Sequence, residues 1–592
     1  MRVLFLVYHF DKTRELSSST ALLSLWYGLR MDLSVAAYIL APVCIFVLLS
    51  LFIHFFRRLT IYYIYTFVLL FLVSFISLAD LEIYTAWGFR IDATPLRFLS
   101  TPREALASIS HLPLLLIAII FLVCYGLFYW SFRKILRRIF FQEQYCFRIL
   151  TGCLILVWMG ALIIPIRGGF QLAPLNQSSV YFSTRQFANH AAINPSWNLL
   201  HSAVSKENIS VNPYNYLPPA IVQRIVDSLY TSSGKPERII RSSQDTPVNV
   251  IMLIWESFTE KAIHQKIDGR EVTPNFNRLA KEGIFFSNAY ASGDRTNKGI
   301  PAILSGYPAM PATTIIHSPG KSASLKVLSQ LFREKGYSTP FFYGGEPEFA
   351  NIKSYLLHGQ FDPLVGKDDF AAKDMNSKWG AHDGVVMQRV LSDLQKTKQP
   401  FFATWLTLTS HEPFETPLPP VFRGNDNTAK FLNSIHYTDQ VLGEFMENCR
   451  QAEWWDQTII VITGDHGHPL PETSSKAEDF CTPVLWLGGA LEKRGVTIDR
   501  VTSQLDIAAA LAAQVGIDSK AFPFSKDPFD PQTLAWAFFT FNNGFGFVDE
   551  HGRLVFDNVG RQPVSEEGRV TNQHLEAGKA MMQAVFEDFI RR

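Results

Sequence analysis

Four runs of mostly apolar residues, at 34–56, 60–78, 112–132 and 149–166, constrain this chain more than any other feature. Each is about as long as the roughly 20 residues needed to cross a hydrocarbon layer. Inside such a layer a chain satisfies its own backbone only as a helix or a closed barrel, so the runs read as spanning helices. Buried core helices are the alternative, but the loops between the runs differ in charge as membrane loops do. Arg57-Arg58 joins the first pair. Arg133, Lys134, Arg137, Arg138 and Arg148, against the single acid Glu143, join the last pair. Both loops are therefore expected on the cytoplasmic side. The stretch 80–111 mixes Asp80, Glu82 and Asp92 with its arginines and is expected outside. The chain then leaves the membrane outward after Ile166. This makes a multi-pass protein of the cell (inner or plasma) membrane with its soluble part extracytoplasmic. Residues 2–10 are apolar but too short to span. They read as the end of a truncated fifth span, or as a signal peptide, although no small-residue cleavage site follows.

Residues 1–166 thus form a transmembrane domain. Residues 167–246, polar and rich in Asn, Ser and Pro, form a connecting arm. With 592 residues the chain is too long for one compact domain. A net charge of +1 gives no pull toward nucleic acid. Of six cysteines, only Cys449 and Cys481 lie in the soluble part, which allows at most one disulfide there.

Beyond Pro247 strand-like and helix-like runs alternate. Residues 248–255, 339–343, 401–408, 458–463 and 483–487 read as strands, several of them apolar throughout, as expected when both faces are buried. Residues 274–283, opened by Thr273-Pro274, and 322–335, 383–394, 428–449 and 505–515 read as helices. This alternation predicts an α/β domain over 247–525, with a mostly parallel sheet and helices on both faces. Residues 526–592 read as a small β/helical appendage, with strands at 536–547 and 553–558 and a helix from 570.

Three expected strands end in chemistry: Glu256 after the first, Ser410-His411-Glu412-Pro413-Phe414 after another, and Gly464-Asp465-His466-Gly467 after a third. In open α/β sheets, sites form at the carboxyl ends of strands. A fourth piece, Asp294-Arg295-Thr296-Asn297-Lys298-Gly299, lies at the mouth of a helix running to Gly306, where exposed N–H groups and the helix dipole favour anions. A threonine hydroxyl there suits attack on phosphorus but needs an activator. Glu256, Asp465, His466 and Thr296 together suit one divalent metal. The mixed oxygen and nitrogen set leaves manganese, magnesium and zinc open. Such an ion lowers the pKa of a bound hydroxyl. Arg295 or Lys298 could pair with phosphate oxygens, and His411 could bond the phosphate or protonate a leaving alkoxide. Each residue alone has a plainer reading as a cap, turn or surface group; the signal lies in the combination.

The motifs Trp255-Glu256-Ser257-Phe258, Thr273-Pro274-Asn275, Arg295-Thr296-Asn297-Lys298-Gly299, Ser410-His411-Glu412-Pro413-Phe414 and Gly464-Asp465-His466-Gly467 occur in this order. In this the chain resembles the lipoteichoic acid synthase-like membrane phosphoglycerol transferases of the sulfatase and alkaline-phosphatase superfamily. The resemblance implies Thr296 as nucleophile, a manganese site at Glu256, Thr296, Asp465 and His466, and His411 as a contact to the glycerol-phosphate group. Gly345-Glu346-Pro347-Glu348-Phe349-Ala350-Asn351 departs from the synthases' Trp and Arg and keeps only Asn351 and its phenylalanine neighbour. The substrate-binding set is then His411, Arg295, Lys298 and Asn351. The Asp294-to-Gly299 stretch looks more like the branch found in double-membraned bacteria.

The expected activity is transfer of phosphoglycerol from a phospholipid donor, phosphatidylglycerol, to a glycan or lipid acceptor through a phosphothreonine-type intermediate. The alternatives are a phosphoethanolamine transferase of the same superfamily, whose members carry more disulfides than two cysteines allow, and a non-catalytic lipid sensor that keeps the fold. A true sulfatase would need Cys or Ser followed by x-Pro-x-Arg, which Thr296-Asn297-Lys298 does not supply.

Overall fold

The computed structural model describes residues 1–93, 95, 114–139, 147–204, 211–241 and 247–592. The chain divides into two compact units, Met1–Asn208 and Ile209–Arg592.

In the first unit three described helices are long and apolar enough to cross a membrane: Ser18–Ser50, Leu59–Thr85 and Arg148–Arg167. A further helix, Leu114–Ile139, carries the described part of the expected 112–132 span; residues 112–113 lie outside the described residues. The first spanning helix begins well before residue 34, at a Ser17 cap whose hydroxyl accepts from the Thr20 N–H. Asp32 sits inside it because Arg2, from helix Arg2–Tyr8, pairs with it and Asn194 donates to it at 2.7 Å. The same helix stops at Ser50, not at 56. Arg57 folds back there and donates to the Ser50 and Leu51 carbonyls, satisfying acceptors that the helix end leaves free. Arg133, Lys134, Arg137 and Arg138, expected in a loop, lie instead in the last turns of helix Leu114–Ile139, where cations suit the dipole. Glu143 lies outside the described residues.

The arm expected over 167–246 is divided between the units. Its first part packs within the first unit, where Asn198 donates to the Ile91 carbonyl and a buried Arg90–Asp80 pair at 2.8 Å is completed by the His190 carbonyl. Its later part, including helix Pro219–Tyr230, packs along the C-terminal helix Asn572–Arg591 of the second unit.

The second unit is built on an eight-stranded sheet. Its strands are β1 (Asn249–Trp255), β2 (Ile284–Phe286), β3 (Phe341–Tyr343), β4 (Leu364–Val365), β5 (Phe402–Leu406), β6 (Thr458–Gly464), β7 (Val484–Leu487) and β8 (Val496–Ile498), in the order β8-β2-β7-β6-β1-β5-β3-β4. Pairing is parallel except where β7 runs against both β6 and β2. Every residue of β1 is buried, and the alternation along it assigns each to a face. Val250, Met252 and Ile254 pack with Ile300, Ile303 and Leu304 of helix Thr296–Ser305 and with Ala508 and Leu511 of helix Asp506–Gln514. Ile251, Leu253 and Trp255 pack with Val386 and Val390 of helix Asp383–Leu394 and with Leu432 and Phe445 of helix Asn427–Gln451. Helices therefore cover both faces.

The helix expected over 322–335 is two pieces, Pro319–Ser322 and Leu328–Glu334. The strand expected over 536–547 is a hairpin, β9 (Trp536–Phe541) and β10 (Gly544–Asp549), turned at Asn542-Asn543 ahead of Gly544. Asn-Asn-Gly is a turn signal that the long apolar run concealed. With β11 (Gly552–Asp557) and β12 (Gln562–Gly568) the hairpin forms an antiparallel meander. Its Phe545 and Phe556 share one core with Met581 and Phe586 of the last helix. Cys449 and Cys481 are buried and free, so the allowed disulfide is not made.

One buried ion pair fastens this appendage. Lys526 Nζ lies 2.8 Å from Asp506 Oδ2, both under 5% exposed, and it also donates to the Trp536 carbonyl. Removing one partner leaves the other charge buried alone. Lys526→Met is therefore expected to cost about 3–5 kcal/mol in thermal unfolding of the detergent-solubilised protein. A loss within about 1 kcal/mol, as for exposed pairs, would mean the pair holds nothing.

Candidate active site

β1 and β6 are adjacent and parallel, with Trp255 opposite Gly464, so Glu256 and Asp465 leave the sheet side by side at its carboxyl edge. The Asp465 N–H continues the ladder to the Trp255 carbonyl at 3.1 Å. Ser257 takes a left-handed conformation (φ 57°), rare for a residue with a side chain, and its N–H donates to Asp465 Oδ1 at 2.7 Å. The His466 N–H donates to the same oxygen at 2.8 Å, and the Ser257 hydroxyl donates to Glu256 Oε1 at 2.8 Å. The Glu256 N–H is held in turn by the Thr407 hydroxyl at 2.9 Å, beyond the end of β5.

Thr296 is the first residue of helix Thr296–Ser305, and its hydroxyl donates to Glu256 Oε2 at 3.2 Å. Gly299 makes this approach possible. A Cβ at that position would lie 1.9 Å from the Asp465 carbonyl oxygen, so only glycine lets the helix mouth sit against the strand end.

Glu256, Asp465 and His466 are all at least nine-tenths buried, and each offers a ligand atom within 4.8 Å of the others. Asp465 Oδ2 is buried and makes no hydrogen bond. The backbone carbonyl of Gly467 accepts from His466 Nδ1 at 2.7 Å, which leaves Nε2 facing Asp465 Oδ2 at 3.5 Å and Glu256 Oε1 at 3.7 Å. Burial, and then the neighbouring Asp465 carboxylate, push the Glu256 carboxyl well above the usual range. Burial alone would lower His466, but the Asp465 and Glu256 carboxylates outweigh it and raise its pKa. Two buried carboxylates, one orphaned oxygen and a turned imidazole make a donor set that fits a divalent cation.

His411 reaches the same cleft from the loop after β5. Thr296, Tyr343, Glu346, Phe349, Trp379 and His411 line it, and the Trp379 ring lies 4.4 Å from the His411 ring. The other expected substrate residues are placed less directly. Lys298 is buried, its ammonium held by Asp294 at 2.9 Å. Arg295 is exposed at the N-cap of the helix. Asn351 is buried in a left-handed conformation at the start of helix Ile352–His358, and its neighbours Phe349 and Ile352 form the cleft wall.

Sequence reasoning missed Trp379, Glu346, Thr407 and Asp383. The Asp383 carboxylate is fully buried and accepts from the Leu408 and Thr409 N–H groups and the Thr438 hydroxyl, pinning the loop that carries Thr407 and His411. No local motif marks it, because its partners come from two other segments.

Residues 248–517 match the sulfatase family model. Lipoteichoic acid synthase 2 of Bacillus subtilis is 25% identical over 303 residues, covering 47% of this chain and 46% of that one. The lipoteichoic acid synthase of Staphylococcus saprophyticus is 25% identical over 355 residues, covering 54% and 53%. The chain thus spans about half the length of the curated relatives it matches. Among solved structures, an alkaline phosphatase superfamily protein from Vibrio parahaemolyticus aligns over 64% of this chain and 97% of its own, at 22% identity and a TM-score of 0.55. The lipoteichoic acid synthase LtaP of Listeria monocytogenes aligns over 62% and 98%, at 17% identity and a TM-score of 0.53. These solved structures share a fold with this chain, and its residues 248–517 are similar to the sulfatase family.

Proposed function

We propose that this protein is a membrane-anchored, metal-dependent transferase that moves phosphoglycerol from a phospholipid, phosphatidylglycerol, to a glycan or lipid acceptor outside the cytoplasm. The observation that carries the reading is the meeting of Glu256, Asp465 and His466 beside the Thr296 hydroxyl at a helix mouth. The likeness to proteins named lipoteichoic acid synthases supports the phosphoglycerol part. Spanning helices in the same chain suit a lipid donor, and the basic residues expected at the inner loops support the outward orientation.

In this reading Glu256, Asp465, His466 and Thr296 hold one divalent ion, manganese by resemblance, with magnesium and zinc compatible with the donors. When bound, such an ion lowers the pKa of the hydroxyl and offsets charge on a phosphate oxygen. The chain's own groups do the rest. Thr296 Oγ1, whose proton points toward Glu256 Oε2, attacks phosphorus. The bond from phosphorus to diacylglycerol breaks, and the proton lost by Thr296 ends on the diacylglycerol oxygen. His411, facing Thr296 across the cleft, bonds the phosphate or returns a proton to the leaving alkoxide. The helix N-terminus favours the charge that accumulates on phosphate. An acceptor hydroxyl then displaces Thr296 from the phosphoglycerol-threonine intermediate, its proton ending on the freed Thr296 Oγ1, with Arg295, Lys298 and Asn351 assigned to substrate binding.

The direct test is diacylglycerol release from phosphatidylglycerol by the purified full chain. The metal assignment has its own readout. The protein should hold about one divalent ion, and stripping it with a chelator should lower the unfolding temperature. Restoring manganese at a hundredfold excess over its Kd should return about 2.7 kcal/mol. An unfolding temperature indifferent to both treatments would remove the metal from the reading.

A further inference from the structure

One short segment, residues 377–383, holds the loop that carries His411 at three points. The segment leads into helix Asp383–Leu394. Its turn is braced against the end of β3, where the Ala381 N–H donates to the Gly344 carbonyl at 3.0 Å. A Cβ at Gly380 would lie 2.0 Å from that same carbonyl oxygen, so turn and strand end are in direct contact. The Ser377 hydroxyl closes the turn, donating to the Gly380 carbonyl at 2.8 Å and accepting from the Gly380 N–H at 3.0 Å. From this base three groups reach the loop after β5. Asp383 accepts from the Leu408 and Thr409 N–H groups. The Lys378 N–H donates to Glu415 Oε2 at 2.7 Å. Between these two ties, the Trp379 indole N–H donates to the Glu412 carbonyl at 2.5 Å.

The Glu412 carbonyl has a second partner. His411 Nδ1 lies 3.0 Å from it. A carbonyl only accepts, so Nδ1 carries a proton there and Nε2 is the nitrogen left for a substrate. The Trp379 ring also rests against the imidazole, with centroids 4.4 Å apart and planes at 60°. Phe349 meets the indole in turn, at 5.6 Å and 72°. Trp379 therefore holds both the carbonyl that selects the tautomer of His411 and the surface on which its ring lies. We infer that Trp379 is the positioning residue for His411, setting the direction of Nε2 without entering the chemistry itself. The inference rests on the phosphoglycerol-transferase reading, in which His411 serves the phosphate or the leaving oxygen. It gives the turn at 377–380 a task in the reaction, although no motif in the sequence marks it.

A double-mutant cycle on the full-length protein in detergent tests this. Diacylglycerol release is followed from phosphatidylglycerol. p-Nitrophenol release is followed from its diester with phosphoglycerol, whose better leaving group keeps slow variants measurable. Trp379→Ala should lower kcat by about a hundredfold, the scale expected when a reacting group moves by about 1 Å, with KM little changed. Trp379→Phe keeps a ring against the imidazole and loses the N–H donor, so it should lose only about two- to tenfold, the worth of one hydrogen bond. In a His411→Ala background, Trp379→Ala should cost almost nothing, because no imidazole remains to be held. On each substrate the Trp379→Ala and His411→Ala variants should lose together or not at all. A Trp379→Ala loss that persists undiminished without His411, or one carried by KM, would make the indole a direct substrate contact and overturn the inference. A loss no larger than the unfolded fraction read from melting curves would reduce Trp379 to packing and overturn it too. Each of these outcomes leaves the transferase reading in place. If the unaltered protein releases neither product, the transferase reading fails and the positioning role falls with it.

Discussion

Thr296→Ala is expected to abolish diacylglycerol release, by about 10⁴-fold or more, the scale on which removing a nucleophile acts in enzymes whose catalytic groups work as a unit. The fold should survive. Thr296 is only partly buried, and its hydroxyl makes a single hydrogen bond, to Glu256 Oε2. Losing one such bond costs about 0.5–1.5 kcal/mol, well within what a domain with two covered sheet faces tolerates. The three other proposed ligands, Glu256, Asp465 and His466, stay in place, so metal content should fall little. Thr296→Ser keeps a hydroxyl at the helix mouth and should retain measurable turnover. The informative comparison is therefore release rate against metal content and melting temperature in the same preparation. Undiminished release by Thr296→Ala would falsify the assignment of the nucleophile and with it the covalent route.

Gly299→Ala is expected to lower activity by about a hundredfold, through a residue that carries no reacting group. The added methyl carbon would lie 1.9 Å from the Asp465 carbonyl oxygen and 2.7 Å from its carbon, both backbone atoms. That carbonyl cannot drift aside freely, because Gln504 Nε2 donates to it at 2.8 Å and to the Gly464 carbonyl at 2.6 Å. The helix mouth must move instead, and Thr296 moves with it. Overpacking of this kind costs about 1–3 kcal/mol in stability, while a displacement near 1 Å at a reacting atom can cost about a hundredfold in rate. The prediction is a modest drop in melting temperature with a disproportionate loss of turnover. A variant that keeps full activity would show that the contact between helix mouth and strand end is not what places the hydroxyl.

The two substitutions probe different levels of the protein, and they differ in how far the sequence announces them. Thr296, Glu256, Asp465 and His466 were legible because each sits in a short motif at the expected end of a strand or the start of a helix, and β1, β6 and helix Thr296–Ser305 formed where periodicity placed them. The glycine after Lys298 belonged to a motif too, but its reason is a distance to Asp465 that chain order does not express. Lys298 shows the same limit: the sequence offers it to phosphate oxygens, and only the fold shows its ammonium beside Asp294.

Local pattern alone determined the spanning helices, the α/β alternation and the four side chains that meet at the sheet edge, since periodicity and strand-end chemistry act over a few residues and survive any arrangement of the rest. Tertiary packing alone decided that Asp383 pins the His411 loop and that Asp32 is met inside its helix by Arg2. Those features arise from segments far apart in the chain, and buried charges are meaningful only once their neighbours are in place.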